Sequence, residues 1–212
     1  MQLSEIREEV QLIVQDSVFT DEMIDSYIND VYFSTVMECL VPEMKGLDTV
    51  TTDPLLSYVS MTGVSGGFSG VLSRVYDSNG NSVTILPTLE TLMDLSGKLD
   101  VEGSIEVVAL EGATLWYYPC PAIAEVLTVV YFKNPSLMSS DSDIPDVIPE
   151  FLHRKILVNG AASLCFDKIE DGVDNLKPNT QSRELSRREG LVRFREWLGK
   201  NRKHYVWSQE PY

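Results

Sequence analysis

The sequence predicts an α+β chain: a helical domain built from N- and C-terminal helices, with an antiparallel β module inserted between them. Three observations carry this expectation. Apolar residues recur at helical spacing in the first forty-odd positions and again after Pro149. Between those ends, from about Leu47 to Lys133, short runs of Val, Leu, Ile, Tyr and Thr are separated by Gly, Pro, Asn or Asp, the pattern of strands and turns. Neither helical end can bury its stripe alone, so the simplest solution packs one on the other. The expected boundaries are 1–45 with 145–203 for the helical domain, 46–135 for the β module and 204–212 for a C-terminal docking tail.

Taken in order, Ser4 to about Gln15 places Ile6, Val10 and Ile13 on one face, with Ser4 set to cap the first turn and Glu5 favouring the helix dipole. Thr20 is placed to cap a longer helix whose stripe is Met23, Ile24, Tyr27, Ile28, Val31, Tyr32, Thr35 and Val36, ended shortly before Pro42. The strand runs are Leu55–Val59, Gly70–Tyr76, Val83–Leu86, Ile105–Leu110, Thr114–Tyr118 and Val126–Phe132. Asp77-Ser78-Asn79-Gly80-Asn81 signals a hairpin, because Asn and Gly tolerate the positive φ of tight turns. One helical turn, Thr88 to about Leu95, interrupts the sheet. The polar segment Asn134–Pro149 reads as a link, and Pro149 as the opening of a helix carrying Phe151, Leu152, Ile156, Leu157, Ala161, Leu164 and Cys165. Gly160 and Ala161 would let a neighbouring helix come close. A loop at Asp171–Asn179 precedes a basic helix of about Thr180–Lys200 with Leu185, Leu191, Phe194 and Leu198 on one side. The end, His204–Tyr212, is too apolar for a solvated tail.

The formal net charge is −15, but it is unevenly spread. Residues 1–150 hold 5 Lys/Arg against 24 Asp/Glu, whereas residues 151–212 hold 12 against 8. An acidic body argues against wrapping nucleic acid by phosphate neutralisation, yet suits a conduit along which DNA slides without sticking. No apolar run approaches the ~20 residues of a membrane span, and the charged start is unlike a signal peptide, so the expectation is a soluble protein with no membrane partner, made inside a cell. Cys39, Cys120 and Cys165 are widely spaced and odd in number, which predicts free buried thiols rather than disulfides or a zinc site.

Chemical motifs are few. Gly63-Val64-Ser65-Gly66-Gly67 matches G-x-S-x-G, and a serine hydrolase using Ser65 with His153 or His204 is the competing reading from another class. That motif requires a following helix, whereas Phe68–Val75 alternates like a strand. No Lys-Ser or Lys-Thr follows the glycines, so a phosphate cradle fails. Asp141-Ser142-Asp143 resembles the start of a calcium loop, but Asp146 and Leu152 stand where its glycine and glutamate belong. Two isolated histidines offer no metal-ligand spacing. The expectation is therefore no catalytic residue, no cofactor and no metal. The one basic concentration is Arg183, Arg187, Arg188, Arg193, Arg195, Lys200, Arg202 and Lys203, followed by Tyr205, Val206, Trp207 and Tyr212. Against the bland reading of a solvated helical face, basic residues followed by aromatic anchors suit docking to an acidic partner, of which another copy of this chain is the nearest candidate.

Several stretches, in order, resemble the head-to-tail adaptor, or head-completion, proteins of the necks of tailed bacteriophages. LSEIREEVQLIVQDSVFTDEMIDSYINDVYFSTV is similar to the family's opening helix and its second helix with an Ile-Asn-Asp centre, here Ile28-Asn29-Asp30. VTTDPLLSYVSM, GGFSGVLSRVYDSNGNSV and EGATLWYYPCPAIAEVLTVVYFKNPSLM resemble its β module, with Pro119-Cys120-Pro121 between two strands. SDIPDVIPEFLHRKILVNGAASLCF resembles its Pro-led helix with small residues at Gly160-Ala161-Ala162. The resemblance implies a virion protein of the neck: a homo-oligomeric, dodecameric ring of about twelve copies that binds the portal protein above. Below, it would meet the tail tube, nozzle or another neck protein, with DNA passing through the channel without sequence-specific binding. It also implies that Arg187, Arg188, Arg195, Arg202, Lys203, Tyr205, Trp207 and Tyr212 dock on the portal. The alternatives are a tail terminator or stopper, and a host-encoded binding module.

Overall fold

The computed structural model describes residues 1–54, 56–97, 99, 101–170 and 177–206, with side chains as far as residue 200. The chain divides into two compact units, one formed by Met1–Glu43 with Pro135–Tyr212 and the other by Met44–Asn134. It is an α+β fold with helices toward both ends, as the periodicity predicts.

In the helical unit, α1 (Leu3–Val14) buries Leu3, Ile6, Val10 and Val14. Its N-cap is Gln2 rather than Ser4: the Glu5 carboxylate accepts the Gln2 N–H at 2.8 Å, while the Ser4 hydroxyl turns to the Asp141 carbonyl. α2 (Asp21–Cys39) is capped as expected, the Thr20 hydroxyl accepting from the Met23 N–H. Of its predicted stripe Ile24, Ile28, Val31, Tyr32, Thr35 and Val36 are buried, Tyr27 is half-buried and Met23 lies outside it. A short turn, Pro42–Met44, leads out of the unit.

The chain returns through 135–149, which is fastened rather than loose. Asn29 clamps it by donating to the Met138 carbonyl at 2.9 Å and accepting the Met138 N–H at 2.8 Å. The Arg7 guanidinium joins α1, α2 and this segment, bidentate on Asp25 at 2.7 and 2.6 Å and on Asp141 at 2.8 Å, which holds its pKa above the ordinary value. The Asp143 carboxylate gathers the Ser139 and Ser140 N–H groups, and the Tyr32 hydroxyl reaches Asp146. The supposed link thus supplies polar partners that the helical face of α2 requires.

Next come α4 (Glu150–His153), a π-helical turn (Arg154–Val158) and α5 (Asn159–Ile169), end to end, with Pro149 as N-cap. This is the unit's centre: α1, α2 and α6 (Pro178–Val206) pack around it, so Ile156 to Ser163 are buried on every side. Phe151 and Leu164, expected on the buried face, are exposed; the residues turned inward are Leu152, Ile156, Leu157, Ala161 and Cys165. A Cβ on Gly160 would lie 2.6 Å from Val31 Cγ1 and 2.9 Å from Arg187 Cδ, so the expected close approach is real on two sides. On α6, Leu191, Phe194 and Leu198 are buried but Leu185 is exposed. The helix extends to Val206, beyond the predicted Lys200, and so takes in the first residues of the expected tail.

The β unit holds β1 (Lys45–Thr51), β2 (Tyr58–Ser60), β3 (Phe68–Tyr76), β4 (Ser82–Leu86), β5 (Val107–Glu111), β6 (Thr114–Tyr118) and β7 (Val126–Lys133). They form one sheet in the order β1-β7-β3-β4-β5-β6-β2. Pairing is antiparallel except between β4 and β5, which run parallel because α3 (Leu89–Ser96) carries the chain across between them. Val50 of β1 and Leu115 and Tyr117 of β6, near opposite ends of that order, share one core with Val75, Val108, Leu127, Val129 and Tyr131. The sheet therefore curls round a single apolar centre. The hairpin at Asp77–Asn81 forms as predicted, with the Asp77 carboxylate accepting the Asn79 and Asn81 N–H groups and Gly80 at φ 82°.

Two strand expectations shift. The run Leu55–Val59 yields only the short β2, displaced toward Ser60, and Leu55 lies outside the described residues. The strand β1 stands where no strand was expected. Its Gly46 faces Tyr131 so closely that a Cβ would sit 2.7 Å from the ring, and that proximity lets the Tyr131 hydroxyl donate to the Ser65 carbonyl.

Candidate functional site

The basic concentration lies on α6, and the structure separates it into parts. Arg183 donates to the Asn159 side-chain oxygen at 3.1 Å, while the Asn159 amide donates to the Arg154 carbonyl, one of the groups displaced by the π turn. Arg187 is largely covered and bidentate on Glu184 at 2.8 and 3.1 Å, which raises its pKa. Both are internal braces. Arg188 also reaches Glu184, at 3.0 Å, yet 72% of its side chain is exposed. Arg195 pairs with Glu38 of α2, with about half its side chain in solvent. Exposed pairs of this kind contribute ~0–1 kcal/mol and leave the guanidinium open to a further anion.

Of the eight residues predicted to dock, Arg187, Arg188 and Arg195 therefore share one helix but not one role. Arg202, Lys203 and Tyr205 lie on the last turns of α6, with no side chain described, and Trp207 and Tyr212 fall outside the described residues. A shallow depression runs along this helix, lined by Glu38, Glu184, Arg187, Arg188, Leu191, Val192 and Arg195. A second lies on α1, lined by Glu8, Gln11, Leu12 and Gln15. Its signal in the sequence is Leu12 among acidic and amide residues, which apolar periodicity alone does not single out.

The G-x-S-x-G loop has a structural role here. The Ser65 N–H donates to the Asp48 carboxylate at 2.8 Å, the Ser65 carbonyl accepts from Tyr131, and β3 follows rather than a helix. Those bonds pin the turn to β1 and β7, and the N–H groups of Ser65 and Thr49 hold the Asp48 carboxyl below its ordinary pKa. His153, the other group weighed for catalysis, is buried in the helical unit with Nε2 2.6 Å from the Ile148 carbonyl. A carbonyl only accepts, so Nε2 carries the proton, and Nδ1 faces the Met1 ammonium at 3.2 Å. Burial, then that ammonium, push its pKa down.

Asp141 and Asp143 are occupied by Arg7 and by backbone N–H groups. Among the described residues no cluster of His, Cys, Asp or Glu has the arrangement of a metal site, and no helix is long and apolar enough to cross a membrane. Cys39, Cys120 and Cys165 are all buried, and burial pushes the Cys165 thiol up to about 11.

No curated protein matches the chain. Residues 1–202 match the family described as SU10 adaptor protein, which spans both ends of the helical unit and the whole β unit between them. The chain accordingly belongs to the SU10 adaptor protein family, and is a phage adaptor protein.

Proposed function

We propose that this adaptor is a structural subunit of the phage neck, one copy in a ring that joins the portal vertex of the head to the tail and extends the DNA channel. The match of residues 1–202 to an adaptor family carries this reading. The charge distribution supports it, since a body with 24 acids against 5 bases in residues 1–150 repels phosphate and would let DNA pass. In this reading the end of α6, from Arg202 and Lys203 through Tyr205, and the residues beyond it, Trp207 and Tyr212, reach the portal. The ring has about twelve copies, as a symmetric homo-oligomer matched to its portal. The tail tube, nozzle or another neck protein seats below.

The test is purified chain mixed with portal rings of the same phage, viewed by electron microscopy. The expected result is a second ring stacked on the first, weakened when the chain is truncated after Lys203. A chain that binds tail-tube protein and ignores the portal would overturn this placement in favour of a terminator or stopper.

A further inference from the structure

The helical unit presents two outward faces that complement each other. On α6 the residues pointing away from the central helix include Leu185 and Val192, 62% and 53% exposed, with Arg188 and Arg195 along one flank. Four- and three-residue steps place 188, 192 and 195 on one stripe. On α1 the outward face carries Leu12, 71% exposed, with Glu5 and Glu8 on the same stripe and Val18, 70% exposed, just past its end. These are the two helices that carry the surface depressions, one lined by Arg187, Arg188 and Arg195 with Glu38 and Glu184, the other by Glu8 with Gln11 and Gln15, each with an aliphatic residue in its lining.

Both helices pack on the same central element, α1 through α5 and the π turn and α6 likewise, so each stripe faces outward from its own helix. Large aliphatic side chains in the midst of charges, left in solvent on both stripes, are what a contact with a polar rim requires. Arg188 and Arg195 are paired with Glu184 and Glu38, yet both keep half or more of their side chains in solvent, where each guanidinium can take a further anion.

We infer that α6 of one copy docks on α1 of the next, Leu185 and Val192 meeting Leu12 while Arg188 and Arg195 meet Glu5 and Glu8. The occupant is a second copy because each face has on this same chain its opposite in charge and its match in aliphatic content. Two different faces make the contact head-to-tail, and a head-to-tail contact that closes is a ring. This rests on the ring reading proposed above and specifies which surfaces build it.

Charge reversal tests the pairing directly. R188E/R195E makes both stripes acidic, and E5K/E8K makes both basic, so each variant alone should lose self-association in sedimentation velocity and ring formation on portal. Mixed in equal amounts, or combined in one chain, they should recover it, while far-ultraviolet circular dichroism shows all variants folded. Position is tested by disulfide formation between L12C and V192C chains, the native thiols being buried. Mixing the two single variants should give cross-linked heterodimers in preference to either homodimer.

Rings that form on portal without the Leu12–Val192 cross-link and without rescue on mixing would overturn this interface and leave the ring reading standing. Absence of any oligomer, free or on portal, would remove both. Homodimers of V192C alone would also overturn it, since they report a two-fold contact of α6 with itself.

Discussion

The two units are closed by different kinds of contact. In the helical unit the decisive polar contacts join distant parts of the sequence: Asn29 with Met138, Arg7 with Asp141, Glu38 with Arg195. The β unit is contiguous, Met44–Asn134, and its polar contacts, Asp48 with Ser65 and Ser65 with Tyr131 among them, fasten turns and strand ends around one apolar cluster. The helical unit needs both flanks of the sheet before it can close, whereas the β unit carries everything its core requires. The paired ends of the insert show how the arrangement is possible, since Lys45 lies opposite Phe132 and the sheet leaves the helical unit and returns to it through adjacent strands.

The difference is sharpest under core truncation. Phe194→Ala removes a fully buried ring from the helical unit and should cost about 3–5 kcal/mol there. Leu127→Ala should cost about 2–5 kcal/mol in the β unit. Differential scanning calorimetry should show each substitution lowering a separate transition, and a single shared transition would dissolve the distinction. Gly160→Ala should cost about 1–3 kcal/mol, because the new Cβ meets Val31 and Arg187 within 3 Å. Gly199, on the same unit with nothing within 4 Å of a Cβ, is its control: Gly199→Ala should stabilise by up to about 1 kcal/mol in urea titrations.

Asn29→Ala leaves the Met138 N–H and carbonyl without their partner and should cost about 1–2 kcal/mol, with amide exchange quickening in 136–144 and unchanged in the β strands.

The smallest effect is acid sensitivity at His153. Its pKa is lower folded than the ordinary 6.5, so as pH falls the unfolded chain takes up the proton first. Stability present above about pH 6.5 is therefore lost as pH falls through the folded value. In urea titrations repeated between pH 7 and 5, His153→Gln should flatten that decline in the helical transition and leave the β transition unmoved.

Much of the helical unit was legible because its determinants are local: the Thr20 cap, the α2 stripe, Pro149 and the small residues at Gly160-Ala161 all act where they stand. What escaped depends on tertiary partners. Lys45, Gly46 and Asp48 are poor strand formers, yet Gly46 admits the Tyr131 ring and Asp48 receives the Ser65 N–H, so β1 is specified by its neighbours rather than by propensity. The π turn has no signature of its own, and its partner Asn159 reads in sequence as an ordinary polar helix residue. The helix at about Thr88–Leu95 was legible, but not that the chain leaving it would lay β5 parallel beside β4, a pairing that no local spacing encodes. For the candidate site, the position of the basic helix was legible, but its division was not. Which arginines brace the unit and which face solvent is decided by Glu184 on the same helix and by Asn159 and Glu38 on two others, partners that spacing alone cannot rank.

The central claim, that the chain ends form a self-sufficient helical unit and that this unit does the docking, is tested by separating the two halves. Residues 46–131 would be replaced by a two-residue turn, a graft the adjacency of Lys45 and Phe132 permits, and the product compared with the isolated 44–134 fragment for helicity, cooperative melting and binding to portal rings. Both pieces should melt cooperatively, with portal binding carried by the helical piece alone. An unfolded helical piece, or portal binding that travels with the sheet, would contradict it.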